Sequence, residues 1–134
     1  MSDIDAPTEL RYTQEHEWIR RTGPTTVRVG ITDFAQSQLG DVVFVQLPAE
    51  GDDVSSGDTL GEVESTKSVS DIYAPLSATV IAINGELETT PETVNSDPYG
   101  DGWLVDLRVD DEDALDAALA DTLDAEGYVS ITGD

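Results

Sequence analysis

The sequence predicts a mainly β fold: two small antiparallel sheets with short helical turns and a C-terminal helix. Three observations predict it. Apolar and polar residues alternate with a period of two in short runs, and β-branched side chains dominate those runs. Glycine, proline and serine clusters interrupt the chain too often for long helices. Finally, Gly51-Asp52 matches Gly85-Glu86, Ser55-Ser56 matches Thr89-Thr90, and Asp58-Thr59-Leu60 matches Glu92-Thr93-Val94, all at a lag of 34 residues. Such a repeat suggests a sandwich built from two related halves.

The elements follow in order. Residues 1–10 are acidic, contain Pro7 and lack periodicity, so a loose N-terminal tail is expected, with order beginning near Arg11. Val27, Val29 and Ile31 alternate with Arg28 and Gly30 and read as a strand. Asp33 is placed to cap a short helix through Leu39 that Gly40 ends. Val42 to Leu47 is too short and too β-branched for a helix, and Pro48 closes it as a strand. Turns follow at Gly51 and at Ser55 to Asp58. Thr59–Glu64 and Ser70–Tyr73 are extended arms flanking Ser65-Thr66-Lys67-Ser68, which places Lys67 at a hairpin tip where other proteins can reach it. Ala78–Ile83 is the next strand before a turn at Asn84-Gly85. Residues 89–102 are mostly turn, with one helical turn from Pro91 to Val94. Trp103–Val109 is a further strand. From Asp111 to Leu123, helical spacing puts Leu115, Ala118, Leu119 and Leu123 on one face as core packing, and Gly127 is placed to stop the helical course.

Composition narrows the function. The chain has 134 residues, enough for one domain with its own core, and the reading is a single unit over 1–134. Acidic residues number 29 against 6 basic ones, a formal net charge of −23 that makes nucleic acid and anionic membrane poor partners. The acids are spread among Val, Ile and Leu, which describes a folded protein with an acidic coat. At about 1 M salt the Debye length is only ~3 Å, so such a coat suits a salt-rich, halophilic cytoplasm. No basic leader and no long apolar run are present, and a cytoplasmic location is expected. Cysteine is absent, so any sulfur chemistry must be brought in.

Five of the six basic residues are arginine, which leaves Lys67 as the one side-chain amine that can lose its proton and be acylated. No catalytic apparatus accompanies it. The only histidine, His16, has no nucleophilic serine or cysteine partner, and there is no phosphate loop, dinucleotide fingerprint or regular oxygen-ligand loop for a metal. Trp18 and Trp103 read as packing residues.

Around that lysine, Gly61-Glu62-Val63-Glu64-Ser65-Thr66-Lys67 followed by Ala74-Pro75-Leu76-Ser77 resembles the swinging-arm domains that carry lipoate or biotin. His16-Glu17-Trp18-Ile19, Gly30-Ile31-Thr32-Asp33, Leu39-Gly40-Asp41-Val42-Val43-Phe44-Val45 and Pro98-Tyr99 with Asp101-Gly102-Trp103-Leu104 extend the resemblance. In this order, from about Leu10 to Tyr128, they look like the landmarks of the glycine cleavage H proteins, with Glu64-Ser65-x-Lys67 as the lipoylation signature.

The resemblance implies a lipoyl-domain-like, flattened barrel-sandwich hybrid, with lipoic acid joined to Lys67 as an amide. It implies a non-catalytic carrier that takes the aminomethyl group of glycine from a pyridoxal-phosphate decarboxylase (P protein) to a tetrahydrofolate-dependent aminomethyltransferase (T protein). A flavin (FAD) dihydrolipoyl dehydrogenase (L protein) reoxidises the arm, and a lipoate ligase or lipoyl transferase attaches it. Glu17, Glu64 and Ser65 are its candidates for arm docking or recognition, Glu17 as the carboxylate facing the loaded arm. Ser68 and Phe34 depart from the family pattern, which often has a small apolar residue and a histidine there. A biotin carrier would flank its lysine with methionines, whereas Thr66 and Ser68 do so here. An unmodified relative serving lipoate delivery stays open as the alternative.

Overall fold

The structure, a computed structural model, describes residues 6–132. Nine strands form two antiparallel sheets. The larger takes β1 (Arg11–Tyr12), β2 (Glu17–Arg21), β3 (Thr26–Ile31), β9 (Val105–Arg108), β8 (Ala78–Ile83) and β5 (Asp53–Val54) in that spatial order. The smaller is β4 (Val42–Gln46), β6 (Thr59–Ser65) and β7 (Val69–Tyr73), with β6 central. Their facing sides meet in one core, where Val27, Val29, Val80 and Leu107 of the larger sheet face Val45, Val63 and Ile72 of the smaller. Each such side chain contributes roughly 1.5–3 kcal/mol on burial, so the inward-facing apolar residues are the main reason the strands pair as they do, across register shifts at Val42/Phe44, Thr59/Gly61 and Val80/Ala82.

Four helices complete the described residues: α1 (Asp33–Leu39), α2 (Thr93–Ser96), α3 (Glu112–Ala120) and α4 (Ala125–Thr132), with a 3₁₀ turn at Gly85–Glu88. The core receives Leu115 from α3, and Ala118 and Leu119 pack against it. A second cluster forms on β1 and β2, where Leu10, Tyr12 and Trp18 meet Ala125 and Tyr128 of α4. There Tyr12 stacks on Tyr128 with centroids 4.8 Å apart, and the Trp18 indole donates to Pro98 O at 2.8 Å.

Several expectations need correction. Thr32, not Asp33, caps α1, its hydroxyl accepting from Ala35 N at 3.1 Å while Asp33 begins the first turn. Glycine at 127 does not stop the helical course. It lies inside α4, where burial of the neighbouring Tyr128 outweighs the roughly 1 kcal/mol that glycine costs a helix. Of the tail expected over 1–10, residues 1–5 lie outside the described residues, and the rest is fastened: Leu10 is buried and Tyr12 Oη donates to Pro7 O at 2.6 Å.

The 34-residue repeat is kept only in part. Its first copy opens β6 at Thr59, whereas the second opens α2 at Thr93. Pro91 and Pro98 bracket that stretch and cannot donate to a ladder, and Val94 is buried as a plug. Asn95 beside it ties α1 to β4, donating to Gly40 O at 2.8 Å and accepting from Val42 N at 2.8 Å.

Candidate functional site

The hairpin between β6 and β7 turns over four residues. Ser65 N donates to Ser68 O at 2.8 Å, closing the turn. The Ser65 hydroxyl then accepts from the backbone N–H groups of Lys67 and Ser68, at 3.2 and 3.0 Å, and so templates the tip from inside. Thr66 N donates to Asp41 O at 3.0 Å and anchors the tip to the chain entering β4. Lys67 is left exposed at the apex.

The basic residues divide by use. Arg21 pairs with Asp116 at 2.6 Å, Arg28 with Asp106 at 2.8 Å, and Arg11 donates to Thr122 O. Arg20 and Arg28 also lie over the rings of Trp18 and Trp103. The Lys67 ammonium takes part in no ion pair among the described residues. Its stem passes over Gly40, where a Cβ would stand 3.5 Å from Lys67 Cε. Gly40 has φ +85° and ψ −158°, a conformation essentially restricted to glycine.

Beside the tip a cleft of about 410 Å³ runs between α1 and β7, lined by Phe34, Leu39, Val69 and Ile72 with His16 at one wall. A second hollow of about 410 Å³ holds Glu17, Tyr73 and Pro75, and Glu15 lines both. Glu17 is buried at 1% exposure, so it is no part of the acidic coat. Its Oε2 accepts from Tyr73 N at 2.8 Å, and Thr13 Oγ1 lies 3.4 Å from Oε1. Burial pushes the Glu17 carboxyl up to about 7, against the lowering pull of those two hydrogen bonds, so it is poised between its two forms at neutral pH.

The residues singled out from sequence therefore fall in two groups. Lys67, Ser65 and Glu64 share the hairpin, Glu64 lying between Phe44 and Val69 in register on the outer face. Glu17 sits at Tyr73, five residues down β7 from Ser68, about 16 Å at strand rise. Sequence reasoning did not place the cleft, Gly40 beneath the lysine, or the approach of Phe34 to His16 with ring centroids 5.0 Å apart. Nothing local signals a contact between residues so far apart in the chain.

This combination defines a β sandwich that presents one exposed lysine on a hairpin beside a cleft. Residues 10–131 match the family model described as glycine cleavage H-protein. The glycine cleavage system H protein of Mycolicibacterium smegmatis is 68% identical over 131 residues, 98% of each chain, and that of Nocardia farcinica 64% over 127 residues, covering 95% of this chain and 96% of its own. The crystal structure of a glycine cleavage system H protein from Mycobacterium marinum superposes with a TM-score of 0.83 at 41% identity, covering 96% of this chain and 99% of that one. The chain belongs to the glycine cleavage H-protein family.

Proposed function

We propose that the chain is the lipoyl-carrying shuttle of a glycine cleavage system, a carrier and not a catalyst, with lipoic acid joined to Lys67 Nζ as an amide. The observation that carries this is Lys67 itself: exposed, free of ion pairs among the described residues, and held on a templated tip in a chain of this family. The residues present fit such a group. Acylation removes a charge that takes part in no ion pair among the described residues, and a cleft lined by both apolar and polar side chains lies beside the hairpin. When bound, lipoate supplies the sulfur pair that this cysteine-free chain lacks, able to accept the aminomethyl group and two electrons.

The chain's own residues bind and orient. Ser65 shapes the tip for the attaching ligase or transferase, and Glu64 on the outer face adds a recognition charge. Glu17 offers a desolvated carboxylate, about half ionised at neutral pH, to a cationic group entering the lower hollow, where a charge-assisted hydrogen bond gains strength. Partners under this reading are the P-protein decarboxylase, the T-protein aminomethyltransferase and the L-protein dehydrogenase, in the cytoplasm and acting on one unit spanning the chain. No helix among the described residues is long and apolar enough to cross a membrane. Intact and peptide mass of protein from its native cells tests the reading: a lipoyl adduct on Lys67 is expected, and an unmodified lysine in cells grown on glycine overturns it. The acidic coat further suits high salt, which predicts a melting temperature that rises with added KCl and is refuted by one that falls.

A further inference from the structure

We infer that the C-terminal helix positions a hydrogen-bond donor in the arm cleft: the Tyr128 hydroxyl of α4 fixes His16 with its proton on Nε2, and that N–H faces the cleft as a seat for an acceptor atom of the acyl arm. The inference rests on the cleft being where the arm lies.

His16 is the one non-glycine residue with positive φ among the described residues, at +68°, just where the chain enters β2. Three contacts hold it there. Its Nδ1 lies 2.9 Å from Tyr128 Oη, its ring packs on Phe34, and its carbonyl accepts from Thr32 N at 3.1 Å. Tyr128 Oη is also 2.7 Å from Thr32 Oγ1. Tyr128 is fully buried and locked by its stack on Tyr12, so its hydroxyl is a fixed point.

Counting protons orders this chain. Thr32 Oγ1 already accepts from Ala35 N and is itself buried at 0% exposure, and its own proton has no other acceptor than Tyr128 Oη. If Thr32 donates to Tyr128, the single Tyr128 proton is free to donate to His16 Nδ1, and every donor is used. The reverse order, with Nδ1–H donating to Tyr128 and Tyr128 to Thr32, strands the Thr32 proton in the core, which native structures avoid. Burial lowers the His16 pKa against the pull of Glu15, favouring the neutral ring, and burial pushes Tyr128 up to about 12; both orders share these states, so the choice between them rests on the proton count alone.

With Nδ1 occupied, the remaining donor is Nε2–H. It has no protein partner, and no buried side-chain nitrogen among the described residues lacks one, so Nε2 is open to solvent. His16 lines the cleft between the lysine tip and Glu17, beside Phe34, Ala35 and Ile72, with Gln38, Ser68 and Ser70 as the other donors of the lining. His16 is thus a positioning residue whose tautomer is set from another element, α4.

The chain has a single histidine, so long-range proton–nitrogen NMR reads this directly. In the unmodified protein the pattern of a ring protonated on Nε2 is expected; protonation on Nδ1 overturns the inference. Tyr128→Phe keeps the ring stack and removes the hydroxyl, and is expected to give a tautomer mixture and a changed histidine titration, while Thr32→Ser, which keeps cap and hydroxyl, leaves both as in the wild type. An unchanged tautomer in Tyr128→Phe also overturns it. Lipoylation of Lys67 is expected to shift the Nε2 resonance in wild type and less in Tyr128→Phe. No shift on lipoylation refutes the donor's role toward the arm yet leaves the acceptor role of Lys67 standing, since the adduct is scored separately by mass.

Discussion

The two ends of β7 handle charge in opposite ways. At one end Lys67 stands in solvent on a four-residue turn, where its surroundings are mostly its own sequence neighbours. At the other, Glu17 is withdrawn from solvent, and its carboxylate is met by Tyr73 N, 56 residues away in the chain. The exposed amine is made distinctive by access. The buried acid keeps its partners and is made distinctive by desolvation, which places its proton affinity near neutrality. Under the proposed function, the acceptor that enzymes must reach is built from local geometry, whereas the group that meets an entering charge is built from tertiary burial.

The sharpest break of this contrast is Lys67→Arg. Arginine keeps the charge and most of the bulk but offers no amine to acylate, so loss of the acyl adduct and of glycine–carbon dioxide exchange is expected to be complete, with a melting temperature near wild type. Retained exchange in that variant, measured with labelled carbon dioxide, removes Lys67 from the function. Gly61→Ala strikes the scaffold under the same hairpin. A Cβ there would stand 2.1 Å from Gln46 O, backbone that cannot turn aside, so β4 and β6 must part and a loss of roughly 3 kcal/mol or more is expected in urea unfolding. A variant within 1 kcal/mol of wild type would show that the sheet yields there.

Glu17→Gln tests the other end through pH. The folded carboxyl titrates near 7 against 4.5 unperturbed, so the folded state binds the extra proton between those values. Stability in the wild type is therefore lost as pH rises from about 4.5 to about 7 and is level above that. Glutamine mimics the protonated form and removes this slope. The variant is expected to match wild type near pH 4 and to exceed it by as much as about 3 kcal/mol above pH 7, at ~1.4 kcal/mol for each tenfold in proton affinity. Taking the difference between the two proteins cancels the titration of the remaining acids, and parallel stability curves would mean the carboxylate is comfortably ionised. Ser65→Ala is the mildest change. Two backbone N–H groups lose their acceptor but can turn to water, so about 0.5–1.5 kcal/mol is expected, with acylation of Lys67 slowed several-fold as the tip loosens. An unchanged acylation rate, followed by mass, would free Ser65 from any role in presenting the lysine.

What the sequence determined by itself is whatever short-range chemistry dictates. Val27 to Ile31, Val42 to Gln46 and the two arms around Lys67 became strands because alternation and β-branching leave few other conformations, and the Ser65-Thr66-Lys67-Ser68 segment between the arms became the tip. The tertiary structure decided the rest. Burial of Val94 fixed the helical turn that the sequence already allowed near Pro91, at Thr93–Ser96, while at Gly127 packing of Tyr128 carried α4 on against local propensity. The cleft, the withdrawal of Glu17 from the acidic coat and the proton order from Thr32 to His16 all join residues tens of positions apart. Their properties come from desolvation and partner geometry, which exist only once the chain has closed around them.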